Sequence, residues 1–235
     1  LLYSVQTNNP LAMTGADDCN FCISNPNSIF NTLTEEDNTF LNSHKSIENF
    51  SKGHIVYYEG SRINGVFYVC KGVLKIYKTG SDGKEQIVTF AKPGSIIGYR
   101  SVLSNEPACT TAQVIEPTQI CFIPSSVIFH FVRTNGEFSL ALMKMICKEL
   151  DQANVFIKDI AQKNVRERLV EILLMLEETF GTSPEGYLNI ILTREELANI
   201  VGTATESAIR LLSELKSEGY ISLVGKRIKL ENKNM

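Results

Sequence analysis

The chain reads as α+β: a β-rich N-terminal half, a long helix, and a C-terminal helix-turn-helix closed by a short hairpin. Three observations set this class. Residues 47–123 break into β-branched and aromatic runs punctuated by glycines at 53, 60, 65, 72, 80, 83, 94 and 98, the spacing of an all-β sandwich or roll. From Met143 onward, apolar residues recur in alternating steps of three and four, a helical seam. The stretch LTREELANIVGTATESAIRLLSEL (192–215) places two T-x-x-E helix starts either side of a glycine.

Composition bounds the answer. With 235 residues, 43% of them apolar, the chain can bury real cores and exceeds one small domain, so two domains are expected. It has no apolar run of about 18 residues, so no membrane span is expected. LLYSVQTNNPLAMTG lacks a basic n-region and a long apolar core, so a signal peptide is not expected either. Residues 1–18 read as a flexible tail, with Met13 nearer a natural start, and the compartment as cytoplasmic. The formal net charge of −3 argues against loose, non-specific adhesion to nucleic acid. Any such contact must come from local cations: Arg194, Arg210, Lys216 and the pair Lys226 and Arg227.

Taken in order, Thr34 with the acidic run after it caps a short helix over 33–40. IENF, HIVYYEG, GVFYVCKGVLKIYKTG, KEQIVTFAKPG, SIIGYR and TTAQVIEPTQICFIP are the strand runs, with Ser81, Asp82 and Gly83 as a hairpin turn. Past Pro124, SSVIFHF is a short helix and Gly136 precedes a long one. Its seam is Met143, Ile146, Leu150, Ala153, Ile157 and Ile160, flanked by Lys144, Lys148, Glu149, Asp151, Gln152, Lys158 and Asp159. A narrow apolar stripe between charged flanks suits a two-stranded coiled coil and hence a homodimer. Asn164 with Glu167 reads as a new helix start, so the long helix breaks near Lys163, a candidate hinge. GTSPEG is a loop, YLNIIL a strand, and YISLV with RIKLE a hairpin around Gly225 and Lys226.

In the 192–215 stretch, Thr193 with Glu196 and Thr203 with Glu206 each have capping-box spacing. Gly202 supplies the left-handed turn, and Ala198 is small where the helices cross. Leu197, Ala198 and Val201, then Ala208, Leu211, Leu212 and Leu215, form the inner faces. This is helix-turn-helix grammar, in which the second helix enters the DNA major groove. Arg194, Thr203, Thr205, Glu206, Ile209, Arg210, Lys226 and Arg227 are then the candidate DNA contacts, with Glu206 and Arg210 facing base edges and Lys226 and Arg227 facing phosphates.

Six cysteines in a cytosolic chain of this length do not make a disulfide framework. Cys70, Cys109 and Cys147 sit in apolar patterns and read as small buried hydrophobes. Cys19 and Cys22 form a C-x-x-C pair, a spacing that can hold a metal.

At this point the chain resembles a family. GTATESAIRLLSELKSEGYI is similar to the recognition helix and wing of Crp/Fnr transcription regulators, and the KGxxKIY and KPGxIIG phrases resemble their cyclic-nucleotide-binding β-roll, in one order over about residues 30–230. The resemblance lies closer to the Fnr branch. It implies a jelly-roll-like β-roll (a double-stranded β-helix) as sensor at 19–133, a dimerisation helix at 134–163 and a winged helix-turn-helix at 164–235. It implies that Arg210 reads guanine and Glu206 accepts from a cytosine amino group. Ile209 stands where the Fnr branch has Ser and the Crp branch Gly, so the general type of site carries over and the half-site sequence does not.

In the roll, Gly98 matches the glycine of the family's ribose- and phosphate-holding Gly-Glu pair, but Tyr99 stands at the Glu position. Cys109 and Thr110 stand at the Arg-Ser position that neutralises the phosphate. Arg100 is one position off, which in a strand is the other face. Without the bidentate cation, cyclic AMP binding is not expected, and a different small molecule, or none, is the effector. The Fnr branch holds an iron–sulfur cluster. Cys19, Cys22 and Cys121 fall at matching places, but no Cys stands near Ser28 for a further ligand, so no cofactor is expected, with a cluster or zinc as the alternatives.

The expected function is a sequence-specific DNA-binding transcription regulator, not an enzyme, acting as a homodimer on an inverted repeat. Its expected partners are double-stranded DNA, a second copy, RNA polymerase and an effector. The alternatives are a ligand-binding or interaction module of the same fold, and a redox-sensing iron–sulfur regulator.

Overall fold

The structure is a computed structural model and describes residues 28–232. The expected tail and the Cys19–Cys22 pair lie outside the described residues. A 3-10 turn (Ile29–Thr32) and helix α1 (Glu35–His44) lead in. The Thr34 hydroxyl accepts from Asp37 N–H and the Asp37 carboxylate from Thr34 N–H, the reciprocal cap the acidic run suggests. The helix runs a turn beyond the expected 33–40.

Six antiparallel strands follow: β1 (Ser46–Phe50), β2 (Ile55–Tyr57), β3 (Gly65–Thr79), β4 (Glu85–Ala91), β5 (Ile96–Ile97) and β6 (Thr111–Pro124). The order is β1-β6-β3-β4, with β2 on β6 and β5 on β3. Long β3 and β6 pair from Gly65 opposite Pro124 to Tyr77 opposite Thr111. Their register shifts around Lys71 and Val73, where Gly72 has φ +82°. An extra residue in one strand exchanges its two faces beyond that point. Before it, Val69 faces the roll interior while Val66, Tyr68 and Cys70 face the helices. After it, Leu74 and Ile76 face inward while Val73 and Tyr77 face outward.

Short helix α2 (Tyr99–Ser104) lies between β5 and β6, so the segment expected as a strand at 95–100 ends in a helix. Helices α3 (Ser125–Thr134), α4 (Gly136–Gln162) and α5 (Val165–Phe180) come next. Asn135 caps α4, and Asn164 with Glu167 starts α5 with a reciprocal cap, so the chain breaks at Lys163 as expected.

The C-terminal unit, called the reading head for the role expected from its sequence, is α6 (Arg194–Val201), α7 (Thr205–Ser217), β7 (Ile221–Val224) and β8 (Arg227–Leu230). YLNIIL is not a strand. It alternates, with Leu188, Ile190 and Leu192 buried and Asn189 and Ile191 exposed, but its ladder is limited to isolated bridges from Leu188 to Thr182 and from Tyr187 to Lys229. Burial set the alternation without a neighbouring strand to continue the pairing.

The three apolar clusters divide the work. One fills the roll, one joins the roll to α1, α3 and the start of α4, and one packs α5 to α7 and the wing against the roll's outer face. Among the described residues no helix is long and apolar enough to cross a membrane.

Candidate nucleic-acid interface and effector pocket

The first reading-head helix starts as its sequence indicates: Thr193 Oγ1 accepts from Glu196 N–H at 3.0 Å, and the Glu196 carboxylate accepts from Thr193 N–H at 2.8 Å. Its end is a left-handed Gly202 (φ 72°), with the N–H groups of Gly202 and Thr203 both returning to the Ala198 carbonyl at 2.9 and 3.1 Å. That closure corrects the second expected cap. Thr203 completes the end of α6, α7 starts two residues on, and its N-cap is Ala204 with no side-chain cap bond. Glu206 is therefore released from capping duty.

Ala198 is fully buried at the crossing, and Ala208, Leu211, Leu212 and Leu215 are buried beneath α7. On the opposite face Glu206, Ile209, Arg210, Ser213 and Lys216 are exposed, while Thr203 and Thr205 are half-buried. Glu206, Ile209 and Arg210 in this row are among the residues named from the sequence as candidate DNA contacts. Arg210 Nη1 donates to Glu214 Oε1 at 2.6 Å, one turn along the same helix, a partner the sequence reading missed although its i,i+4 spacing announces it.

Behind this face, α5 grips the turn. Arg168 donates from Nε to the Val201 carbonyl at 3.0 Å and from Nη1 to the Lys163 carbonyl at 2.9 Å. Arg166 forms a two-pronged bridge to Glu218, which holds that carboxyl below its ordinary range. In the wing, Val224 pairs with Arg227 across the turn at Gly225 and Lys226. Arg194 donates to the Gly225 carbonyl at 2.9 Å. Arg227 lies 4.3 Å over the Tyr187 ring and 3.5 Å from Glu185. Lys226 is exposed, with no ion-pair partner among the described residues.

The roll contacts this unit directly. Gln86 Nε2 donates to the Asn199 carbonyl at 2.6 Å, Lys92 Nζ to the Thr179 carbonyl at 3.2 Å, and Phe90 meets Phe180 edge-on. No sequence pattern marks Gln86, because its partner carbonyl lies 113 residues away.

At the roll's mouth, Gly98 is left-handed (φ 81°) and starts α2. Tyr99 is buried and its hydroxyl donates to the Glu149 carboxylate on α4. Burial and that carboxylate push the Tyr99 hydroxyl up from its ordinary range. Arg100 is exposed, but the reason is a helical turn rather than the strand alternation expected. Thr110 is buried and Cys109 exposed. Buried Tyr57 is pushed up to about 12, chiefly by loss of solvent. A cavity of about 460 Å³ beside them is lined by Arg100, Ser101, Leu103, Cys109 and, from α4, Ile146.

Along α4, Met143, Leu150, Ala153, Ile157 and Ile160 are exposed and Ile146 is half-buried. Cys109 and Cys147 are exposed rather than buried: Cys109 precedes β6 in a loop, and Cys147 follows Ile146 onto the open side of α4.

Of the iron–sulfur donor set named from the sequence, Cys19 and Cys22 lie outside the described residues, and only the place of Cys121 is seen. Cys121 is fully buried in the cluster beneath the helices. Ser28 stands where a further thiolate would be needed, and its hydroxyl accepts from Phe30 N–H at 3.2 Å. Among the described residues no three His, Cys, Asp or Glu side chains converge.

The profile described as cyclic nucleotide-binding domain matches residues 47–135, and that described as Crp-like helix-turn-helix domain matches residues 167–235. The chain is 27% identical over 181 residues to the CRP-like cAMP-activated global transcriptional regulator of Mycobacterium tuberculosis, covering 76% of this chain and 81% of that one. It is 27% identical over 214 residues to the transcriptional activator protein anr of Pseudomonas aeruginosa, covering 89% and 87%. Among solved structures, FixK2 from Bradyrhizobium japonicum shares the fold with a TM-score of 0.72 at 24% identity, covering 80% of this chain and 93% of that one. A CooA mutant from Carboxydothermus hydrogenoformans does so with a TM-score of 0.70 at 24% identity, covering 87% and 90%.

A β-roll joined by a long helix to a winged helix-turn-helix with an outward recognition face defines a DNA-binding transcription regulator. The chain belongs to the Crp/Fnr superfamily.

Proposed function

We propose that the protein acts in the cytoplasm as a homodimer that reads an inverted repeat, with a β-roll that does not take cyclic AMP. The observation that carries the reading is the bare apolar seam of α4, with Leu150 and Ile157 62% and 64% exposed in the single chain. An open stripe of this kind is covered when two copies pair. Pairing along α4 gives a two-fold molecule with one α7 per half, which matches half-sites one DNA turn apart. Arg210 donates to guanine, Glu206 accepts from cytosine, Thr205 and Ile209 shape the edge of the contact, and Lys226 meets phosphate.

Against cyclic AMP stands the chemistry of the roll's mouth. A cyclic phosphate there would meet the Glu149 carboxylate across the Tyr99 hydroxyl, with Cys109 and Thr110 at the positions of the family's Arg-Ser pair and Arg100 on α2 as the cation at the mouth. An effector of different chemistry shifts the population of reading-head positions through α4 or the break at Lys163. RNA polymerase is the further partner such a regulator addresses.

Footprinting of the wild type on duplexes selected from a random pool, beside Arg210→Ala, tests the reading: the variant should lose the footprint. Undiminished sequence-specific protection by Arg210→Ala would sink it. Calorimetric titration with cyclic AMP should give no heat of binding, and a saturable isotherm would overturn that part alone.

A further inference from the structure

Two arginines that look like solvent-facing cations in the sequence are built into the wing. Arg194, the first residue of α6, is half-buried. Its Nη2 donates to the Gly225 carbonyl at the wing turn, 2.9 Å away. Its Nη1 is shut away from solvent, and loss of solvent depresses its pKa. Arg227, on the other side of the turn, is stacked 4.3 Å over Tyr187. Between these two held side chains stands Lys226, exposed and without an ion-pair partner among the described residues.

We infer that Arg194 is a positioning residue: it fixes the wing turn through the Gly225 carbonyl so that Lys226 meets a phosphate, and does not itself contact DNA. The inference rests on the reading of α7 as the DNA-reading helix. One nitrogen of its fork is committed to a carbonyl and another is enclosed, so two of its three nitrogens are already placed toward the protein. A two-residue turn otherwise loses conformational freedom on binding, and holding it in advance removes that cost from the association. The planar fork also explains why arginine rather than lysine stands here, since a lysine is a point charge on a flexible stem.

The test is a double-mutant cycle with the full chain on its selected duplex, read by fluorescence anisotropy across a salt series. Lys226→Ala should weaken binding and reduce the slope of log affinity against log salt by about 1. Arg194→Gln should reproduce both changes, and the double variant should be no weaker than either alone, within about twofold. Arg194→Lys, which keeps the charge and is the milder change for folding, should fail to restore the slope. Lys216→Ala, on α7 and away from the wing, should add its loss to that of Arg194→Gln.

Additive losses for Arg194→Gln and Lys226→Ala, with the slope falling by about 2 in the double variant, would make Arg194 a phosphate contact and overturn the assignment. Full rescue by Arg194→Lys, or no loss with Arg194→Gln, would also overturn it. Absence of a selected duplex for the wild type would instead remove the reading of α7, and this inference with it.

Discussion

Leu150 and Ile157 carry the sharpest consequence of the structure, because each leaves most of its side chain in water. Covering an aliphatic side chain of this size fully stabilises by about 2 kcal/mol. With 62% and 64% of the two residues uncovered, about 1.2 kcal/mol each remains to be gained on pairing. Two such residues from each of two protomers give about 5 kcal/mol for the dimer. Alanine keeps part of that area, so Leu150→Ala with Ile157→Ala should cost about 4 kcal/mol, roughly a thousandfold in the dimer dissociation constant. Alanine is the best helix former, so α4 should keep its helical signal. Sedimentation equilibrium over a concentration series reads the constant, and circular dichroism checks the helix. A shift smaller than about tenfold with intact helicity would mean that the seam is not the dimer interface and that the reasoning from its exposure is wrong.

Three further outcomes follow from contacts elsewhere. Glu214→Gln frees Arg210 from its 2.6 Å partner and removes a carboxylate from the groove-facing helix. For an exposed pair worth about 0.5 kcal/mol, affinity for a non-specific duplex in gel-shift titrations should rise about twofold or more. Gln86→Ala removes the bond from the roll to Asn199; a net loss of about 1 kcal/mol should lower the denaturation midpoint and expose the junction to limited proteolysis. Tyr57 has its pKa raised from 10.0 to about 12 by burial, so the folded state keeps a proton that the unfolded chain releases. Stability from this source is therefore whole below pH 10 and is lost as pH rises to and through about 12. Denaturant titrations at stepped alkaline pH should show that fall, and Tyr57→Phe should flatten it.

The features legible in the sequence are those settled within four residues. The caps at Thr34, Asn164 and Thr193 each satisfy orphan backbone donors locally, and each stands where its spacing puts it. Thr203 has the same spacing, yet Gly202 recruits its N–H to close α6; two local signals competed and the preceding helix won. Gly72 is visible as a glycine, but that the register shift beside it exchanges the faces of β3 emerges only when β6 is laid alongside. The segment 187–192 alternates like a strand because a core lies beneath it, and a core does not require a ladder. The outward row of α7 is legible because its buried row is so regular. Glu149 and Gln86 escaped because charged or amide side chains carry no periodic signature: each is identified by its partner, and that partner is remote in sequence.

How the roll holds the reading head bears on how any signal must act. Arg168 gathers the Lys163 carbonyl from the break and the Val201 carbonyl from the end of α6 on one guanidinium. Arg166 ties the first turn of α5 to the residue just past α7. The break at Lys163 and the start of α5 are therefore tied to the helix-turn-helix by hydrogen bonds from two arginines of one helix. Helices α5, α6 and α7 meet the roll through Val73, Tyr77, Ile87 and Ile115, all buried in the same cluster as Leu173, Leu197 and Leu212, with Gln86 and Lys92 at its edges. Area-dependent apolar contact resists separation more than two edge hydrogen bonds do. A displacement of the reading head then has to open this apolar seam. The roll's mouth meets α4 through the Tyr99–Glu149 bond and through Ile146, which lines the cavity, so under the proposed reading a signal there would travel along the long helix to the break at Lys163.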